Sequence, residues 1–350
     1  MHMADALLAP AVAATMYVAS GTAAGVSVHK LRKDDEERKL PTMAVTSALV
    51  FAGQMINYTI PGTGSSGHMC GGMLLSALLG PYAGFLSMIV ILTVQCLFFA
   101  DGGLMALGAN IWNMAFYGCF VGCFLIWRPI VNSNWFGGET KSAQRLRIIV
   151  ASIIGCVVTL QLGAFSVVLE TTLSGITELP FSAFVALMQP IHLAIGLVEG
   201  LVTAAVLVFV YESRPELLMD VDATGTATGK RSLKATLAIL AVVVVVVGGG
   251  LSLLASSNPD GLEWALFGNE DANVENMGLD EDNFGVESKA AETAGSIQES
   301  TSFLPDYAFP DDDSPAGTTV SGLVGSAIVA AISVLLAFAF GFFRKKKQAA

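Results

Sequence analysis

The chain has 350 residues, of which 53% are hydrophobic and only 13% are Asp, Glu, Lys or Arg. Soluble globular proteins carry about 25% charged residues, so this chain has too little polar surface to cover a core of its size in water. The net charge of −11 is localised, because residues 255–318 hold 15 acidic residues and one basic residue, Lys289. No basic face for binding nucleic acid is present. These numbers predict a membrane-embedded body with one acidic, water-exposed segment.

Nine apolar segments are long enough, or nearly long enough, to cross a bilayer as helices, which takes about 20 residues. They are Leu7–Val28, Ala44–Ile60, His68–Leu79, Tyr82–Phe99, Leu104–Trp127, Ile148–Leu169, Phe181–Tyr211, Leu233–Leu254 and Val320–Phe343. The third segment is too short to cross alone, so we expect it to lie against protein or to line a cavity. The predicted fold is an all-α polytopic membrane protein with a seven-segment bundle and a two-span C-terminal hairpin.

The distribution of Lys and Arg gives an independent test of this topology. With the amino terminus outside and each segment crossing once, the cytoplasmic side holds 17 of the 18 basic residues, and only Lys289 lies outside. The positive-inside rule favours this orientation, which also puts the carboxy terminus in the cytoplasm. No signal peptide precedes the first apolar run, so we expect the mature protein to begin at Met1. The expected location is a bacterial or archaeal cell membrane.

The chain divides near Asp220–Lys230, where the composition is that of a linker. We expect a membrane domain over residues 1–212, a cytoplasmic linker over 213–231 and a second domain over 232–350. The acidic loop of that second domain, residues 255–318, is predicted to lie outside the cell. Since it has little to bury, the loop is expected to be loosely ordered.

The amino terminus carries a pattern of nitrogen donors. The Met1 α-amine, the main-chain nitrogen of His2 and the His2 imidazole can form adjacent chelate rings on one metal ion. A fourth nitrogen would complete a square plane, the geometry that suits Ni²⁺ or Cu²⁺. The alternative interpretation is a disordered chain start with an incidental histidine.

His68 is the candidate for the fourth nitrogen. It follows the glycine-dense run Gly62–Gly67 and lies on the same predicted outer side as His2. Glycines permit close backbone approach and positive φ, as expected where a chain end inserts into a bundle. The alternative is a glycine-rich turn whose histidine simply begins a helix. Cys70 is a subsidiary soft-ligand candidate, although the five cysteines otherwise suit small buried hydrophobic residues.

Two ionisable residues lie inside a predicted span. His192 and Glu199 are seven residues apart, so they share one helix face. Ionisable groups at membrane depth are candidates for function, and a structural hydrogen bond is the competing interpretation. A different stretch, Gly225–Arg231, is similar to a phosphate-binding loop, but it is one residue too short and has Arg where Ser or Thr is required. We therefore expect no ATP hydrolysis and no enzyme activity.

Several stretches together carry a family resemblance: Met1–Asp5, Gly64–His68, Gln95–Gly103 continuing through Gly108–Asn110 to Met114, and His192–Thr203. They resemble the CbiM/NikM family, the substrate-binding (S) components of energy-coupling factor transporters for cobalt and nickel. Beyond the linker, Asn258–Trp264 resembles the PDGLE motif of the small CbiN/NikN partner, here fused to the same chain. The start departs from the usual family pattern, because Ala4 and Ala6 replace the Pro and Gly that flank the aspartate.

The resemblance implies that the chain is the specificity component of an ABC-type importer, which links it to cobalamin biosynthesis. Co²⁺ or Ni²⁺ is then the transported substrate, held by the Met1 amine, the main-chain nitrogen and imidazole of His2, and His68. No organic cofactor is implied. The candidates for supporting or loading the site are Ser66, Gln95, Asp101, Asn110, His192, Asp260 and Glu263.

The implied partners are a transmembrane coupling (T) subunit, two ATP-binding subunits and the surrounding lipid. Small residues along the first span, among them Ser20, Gly21 and Gly25, suit either contact with the coupling subunit or packing within the chain. Two other functions remain open. One is a membrane haem or redox protein with His68 and His192 as axial ligands. The other is a self-sufficient secondary metal carrier that uses Glu199 as a proton relay.

Overall fold

The computed structural model describes residues 1–31, 40–138, 140–176, 178–221, 231–280, 284–310 and 314–348. In chain order the helices and strands are α1 (Pro10–Leu31), α2 (Leu40–Gln54), β1 (Tyr58–Ile60), β2 (Ser65–Gly67), α3 (Gly72–Leu79), α4 (Pro81–Phe99), α5 (Leu107–Ile111), a π-helical segment (Trp112–Trp127), α6 (Arg128–Val131), α7 (Lys141–Leu173), α8 (Phe181–Ser213), α9 (Leu233–Gly249), α10 (Gly261–Phe267), α11 (Lys289–Thr301) and α12 (Ala316–Gln348). Part of the predicted linker and most of the phosphate-loop-like stretch lie outside the described residues.

The prediction of an all-α polytopic membrane protein is confirmed. Six helices in the described chain are long and apolar enough to cross a membrane: Pro10–Leu31, Pro81–Phe99, Leu107–Val131, Lys141–Leu173, Phe181–Ser213 and Ala316–Leu336. Helix α9 is apolar but shorter. The remaining predicted segments correspond to α2, with 15 residues, and α3, with eight.

Two predicted boundaries are wrong around the glycine-dense run. Helix α2 ends at Gln54 rather than at Ile60, because the chain then forms a two-stranded antiparallel hairpin of β1 and β2. Helix α3 begins at Gly72 instead of His68. Gly71 precedes it with a φ of +81°, a conformation that glycine adopts without steric penalty. His68 therefore lies in a loop between a strand and a helix.

Helix α3 lies at the centre of the bundle. All eight of its residues are buried, and it packs against α4, the π-helical segment and α2. The backbones come close at Gly72 and Gly118, where a Cβ on Gly72 would lie 3.2 Å from the Gly118 Cα. A helix this short is tolerated at membrane depth because surrounding protein covers it, as the sequence predicts.

The C-terminal hairpin packs onto α2 of the membrane domain. Helices α9 and α12 contact each other, and both contact α2. They cross at Gly248 and Gly322, where a Cβ on Gly322 would overlap the Gly248 carbonyl oxygen. Small residues at such a crossing let two membrane helices approach closely.

The expectation of a loosely ordered acidic loop is wrong for its described residues. They form α10, α11 and short 3₁₀ turns, and they dock on the outer loops of the first domain. The Trp264 indole donates to the Thr63 carbonyl at 2.9 Å, and the Val286 N–H donates to the Ala6 carbonyl at 2.8 Å. Leu262 and Leu266 of α10 are each 2% exposed. A short apolar face on α10 thus gives the loop something to bury despite its charge.

Candidate metal centre

The first residues of the chain are buried in the bundle, and hydrogen bonds at Met3 hold them there. Its N–H donates to Asn110 Oδ1 at 2.7 Å, and its carbonyl accepts from the Gly103 N–H at 2.9 Å. The Asp5 carboxylate accepts from the Ala106 N–H at 2.9 Å. Met3 is fully buried. These bonds fix the chain directly after its first two residues, which positions Met1 and His2.

The Met1 amine is buried and faces a carboxylate from the second domain. Met1 is 4% exposed, and its amine donates to Asp260 Oδ2 at 2.5 Å. The same oxygen lies 3.7 Å from His68 Nε2. The rings of His2 and His68 stack with centroids 5.3 Å apart and planes inclined by 17°. Three of the groups predicted as ligands therefore lie close together, and Asp260 contacts the Met1 amine among them.

Charges within this cluster compensate one another. Burial opposes the charge on the Met1 amine, but the Asp260 carboxylate outweighs it and raises the pKa of that amine. Burial likewise opposes ionisation of Asp260, yet the amine and His68 hold the pKa of that carboxyl well below its usual range. Burial, together with the amine, lowers the pKa of His68. His68 is therefore a neutral imidazole near pH 7, the form that donates an electron pair to a metal.

Asp260 divides its two oxygens between two tasks. Oδ1 caps the amino terminus of α10 by accepting from the N–H groups of Leu262 and Glu263 at 2.7 and 3.0 Å. Glu263 completes a capping box by accepting from the Asp260 N–H at 3.1 Å. The cap fixes the carboxylate, so that Oδ2 points to Met1 and His68.

On the other side of the cluster, His2 contacts a second carboxylate. His2 Nδ1 lies 3.0 Å from Asp101 Oδ1, and the Tyr307 hydroxyl donates to Asp101 Oδ2 at 2.5 Å. Burial opposes ionisation of Asp101, but His2 and the Tyr307 hydroxyl bring its pKa well below the usual range. Burial and the neighbouring carboxylate raise the pKa of Tyr307 well above its ordinary value. The phenol is therefore protonated and donates a hydrogen bond to the ionised carboxylate.

The glycine-dense loop is held from two directions. Its strand β2 pairs with β1, so that Ser66 lies opposite Thr59. On the other side the Ser66 N–H donates to the Pro259 carbonyl and its hydroxyl to the Asn258 carbonyl, both at 2.8 Å. Ser66 therefore joins the His68 loop to the PDGLE segment.

Glu199 fixes the far end of this loop. Its carboxylate oxygens accept from the main-chain N–H groups of Cys70 at 2.7 Å and Gly71 at 2.9 Å. Glu199 lies within α8 and is 1% exposed. The sequence flags it only as an ionisable residue at membrane depth, whereas the structure gives it a positioning role for the loop that carries His68.

His192 lies close to the cluster without contacting it through a hydrogen bond. It lines a small pocket together with Met1, His68, Cys70 and Asp260. Its Nδ1 lies 2.8 Å from the Met188 carbonyl oxygen, and its buried Nε2 has no hydrogen-bond partner among the described residues. All five cysteines are buried and free.

The other candidates support the cluster from a distance. Gln95 is fully buried in α4, and its carbonyl accepts from the Asp101 N–H at 3.1 Å, which shapes the turn that carries Asp101. Asn110 anchors the chain start through Met3, as described above. No group of three or more His, Cys, Asp or Glu side chains in the described ranges has a metal-binding arrangement. The predicted ligand set contains only two such side chains, His2 and His68, because its other two nitrogens belong to the main chain.

Tyr307 is the residue that the sequence does not single out. It lies 206 residues from Asp101, and nothing in its own segment signals a contact with the amino terminus. Asn258 and Pro259 belong to the PDGLE motif, but they contact Ser66 through their main-chain carbonyls. The identity of their side chains therefore does not predict these contacts.

The described chain has the fold of a multi-pass membrane protein, with six apolar helices long enough to cross a bilayer. A crystal structure described as that of a truncated transition metal transporter aligns with a TM-score of 0.51 and 31% identity, over 61% of this chain and 99% of that one. Residues 2–217 match the CbiM family, described as a cobalt uptake substrate-specific transmembrane region, and residues 234–341 match the PDGLE domain.

Two relatives align along nearly the whole chain. A putative fused nickel transport protein, NikMN, from Archaeoglobus fulgidus is 34% identical over 340 residues, which cover 96% of this chain and 98% of the relative. The fused nickel transport protein NikMN from Rhodobacter capsulatus is 30% identical over 352 residues, with 95% of each chain covered. The chain belongs to the CbiM family and carries a PDGLE domain fused at its carboxy-terminal side.

Proposed function

We propose that this chain captures Co²⁺ or Ni²⁺ from outside the cell as the specificity component of an energy-coupling factor transporter. One observation carries the proposal: the Met1 amine is buried beside the stacked imidazoles of His2 and His68. Burying a charged chain end is unfavourable unless a partner compensates. Asp260 compensates the amine in the metal-free site, and a metal ion that takes the amine as a ligand would replace this pairing.

The ligand set is the Met1 amine, the main-chain nitrogen and Nδ1 of His2, and Nε2 of His68. The amine and the residue-2 nitrogen close a five-membered chelate ring on the ion. The His2 main-chain nitrogen and Nδ1 of the same residue close a six-membered ring, which Nε2 cannot reach. Four nitrogens in a plane suit Ni²⁺, and nitrogen ligands also suit Co²⁺.

The PDGLE domain supplies a loading group for this site. Asp260 Oδ2 contacts the Met1 amine and approaches His68 Nε2, so it lies where the ion has to arrive. A carboxylate at that point attracts a divalent cation and can release the amine to it. Glu263, through the capping box, keeps Asp260 in this orientation. The acidic loop, with 15 acidic residues, raises the local concentration of cations within a Debye length of about 8 Å.

The energy for transport comes from separate subunits, two that bind ATP and one that couples them to this chain. The names of the NikMN relatives as transport proteins support a place in such a system. Helix α1 offers a surface for the coupling subunit, because a Cβ at Gly21 or Gly25 would meet no atom within 4 Å. Ser20, by contrast, is used within the chain and donates to the Gly108 carbonyl at 2.7 Å. The amino terminus lies outside and the carboxy terminus in the cytoplasm.

The test is the metal content of the purified full-length chain after incubation with equal concentrations of nickel and cobalt. We expect a single ion per chain, and a sharp loss in the His68→Ala variant with the fold retained. His29→Ala is the matched control, because His29 lies exposed at the end of α1. Equal metal content in wild type and His68→Ala would refute the assigned ligand.

A further inference from the structure

The PDGLE domain reaches the candidate centre at a second point, 47 residues beyond Asp260 in the chain. This point is Tyr307, which ends a 3₁₀ turn, Pro305–Tyr307, between α11 and α12. Its hydroxyl donates to Asp101 Oδ2 at 2.5 Å, and Asp101 Oδ1 lies 3.0 Å from His2 Nδ1. One carboxylate thus bridges a tyrosine of the second domain and an imidazole of the first.

The tyrosine ring is held in place independently of its hydroxyl. It stacks on Phe99 with centroids 4.9 Å apart and planes inclined by 19°. The backbone at Asp306 and Tyr307 has φ values of +51° and +60°, a region that side-chain-bearing residues rarely adopt. Packing therefore maintains an unfavourable backbone that delivers the hydroxyl to Asp101.

Residues in α11 and just after it also form hydrogen bonds with the segment that carries Asp101. The Gln298 amide donates to the Gly102 carbonyl at 2.7 Å. The Phe303 N–H donates to the Phe98 carbonyl at 3.2 Å. The second domain thus contacts this segment before and after Asp101, and Tyr307 contacts the carboxylate itself.

We infer that Tyr307 is a positioning residue of the metal site, which holds Asp101 in place while the His2 ring exchanges this carboxylate for the ion. This inference rests on the ligand set proposed above. Chelation by His2 through its own main-chain nitrogen uses Nδ1, the atom that faces Asp101. In the metal-free site Asp101 holds this nitrogen, which has to leave the carboxylate before it can bind the ion. The Tyr307 hydroxyl keeps the carboxylate hydrogen-bonded when Nδ1 leaves it. Without that hydroxyl the carboxylate would lose a hydrogen-bond donor in the metal-bound state, which is unfavourable.

The test is the Tyr307→Phe variant of the full chain, which keeps the ring that stacks on Phe99 and removes only the hydroxyl. We expect the nickel affinity of the purified protein to fall by about tenfold, because the Asp101 carboxylate then has no hydroxyl donor from residue 307 when Nδ1 leaves it for the ion. Tyr117→Phe is the matched control, since it removes a hydroxyl that is 2.6 Å from Ser166 Oγ and leaves the site untouched.

A double-mutant cycle distinguishes positioning through Asp101 from a general effect on the fold. In the Asp101→Asn background, Tyr307→Phe should cause little further loss, whereas Tyr117→Phe should leave affinity unchanged in either background. Wild-type affinity in Tyr307→Phe, or the full tenfold loss persisting in the Asp101→Asn background, would overturn the inference. If the wild-type chain binds neither nickel nor cobalt, the proposed function fails and this inference fails with it. Metal binding by wild type with an unaltered Tyr307→Phe variant removes the inference alone.

Discussion

The α-amine of Met1 lies 2.5 Å from a carboxylate oxygen of Asp260, a contact between residues 259 positions apart. It joins the first residue of the membrane domain to the residue that caps α10 in the PDGLE domain. The same oxygen lies 3.7 Å from His68 Nε2. The fused domain is therefore part of the candidate centre in three dimensions. Its carboxylate contacts the Met1 amine and approaches His68 Nε2, two of the nitrogens proposed to receive the ion.

The first prediction concerns Asp260. In Asp260→Asn the side chain can still cap α10, because Asn is as good an N-cap as Asp, but it loses the charge that faces Met1. We expect the initial rate of nickel or cobalt uptake to fall while the equilibrium affinity does not, since the variant weakens the group that competes with the ion for the amine. The measurements are uptake by cells that contain the partner subunits, and titration of the purified chain.

Asp271→Asn is the control for this prediction. Asp271 is exposed in the same acidic loop, so the variant removes an equal charge away from the centre. If both variants slow uptake equally, the loop acts only through its total charge and the specific role of Asp260 is wrong. Normal uptake by Asp260→Asn would lead to the same conclusion.

The second prediction concerns the support that Glu199 gives to the His68 loop. Both of its oxygens accept main-chain N–H groups, from Cys70 and Gly71. In Glu199→Gln an amide NH₂ replaces one acceptor, so one buried N–H group faces another donor, which destabilises by about 1–3 kcal/mol. We expect a lower unfolding temperature in detergent and a weaker affinity for nickel. Glu216→Gln is the control, because Glu216 is an exposed residue that pairs with Arg214 at the surface.

A self-sufficient carrier with Glu199 as a proton relay makes a different prediction for this variant. Such a carrier would lose transport while its metal affinity and stability stayed at the wild-type level. That result would contradict the positioning role of Glu199. It would also favour transport by this chain without the ATP-binding partners.

Part of the centre follows directly from the sequence. The chelating pattern of Met1 and His2, the glycine-dense loop before His68 and the common outer side of both are readable because they depend on local spacing and on the span count. The structure brings these residues together, with the two imidazole rings stacked. The nine apolar segments likewise correspond to helices, since hydrophobic length is a strong signal in membrane proteins.

The remaining features depend on tertiary contacts that local patterns do not encode. Helix α3 begins at Gly72 because Gly71 has a φ of +81°, and Glu199, from a distant helix, takes the N–H groups of Cys70 and Gly71. The acidic composition of residues 255–318 suggests disorder, but the buried face of α10 outweighs it. Tyr307 reaches Asp101 only because the fold of that loop returns the chain to its own amino terminus.

The third prediction concerns the attachment of the hairpin. Helices α9 and α12 cross at Gly248 and Gly322, so a larger side chain at Gly322 has to displace the opposite backbone. Gly322→Val should destabilise the chain by about 1–3 kcal/mol, the usual effect of overpacking. Thermal unfolding in detergent measures this, with Gly295→Ala as control. A Cβ on Gly295, which lies in α11, would meet no atom within 4 Å, so alanine there should be neutral or slightly stabilising. Unchanged stability in Gly322→Val would show that the two helices do not cross this closely.

The last prediction depends on the free amine of Met1. An added residue before Met1 turns the primary amine into a peptide nitrogen, which removes one ligand and the charge that pairs with Asp260. The extra backbone also has to enter a site where Met1 is 4% exposed and Met3 is fixed by Asn110 and Gly103. We expect an uncleaved amino-terminal tag to abolish tight binding of nickel and cobalt, because the two imidazoles that remain hold a divalent ion far more weakly than four nitrogens.

Two matched proteins make this prediction decisive. A tag at the carboxy terminus should leave metal binding intact, because the predicted topology puts that end of the chain on the cytoplasmic side, opposite the candidate centre. Cleaving the amino-terminal tag so that Met1 again begins the chain should restore binding in the same preparation, which separates loss of the ligand from damage to the fold. The bound nickel should then show the absorption of a square-planar ion rather than that of a tetrahedral site. Normal affinity with the uncleaved tag in place would rule out the Met1 amine as a ligand.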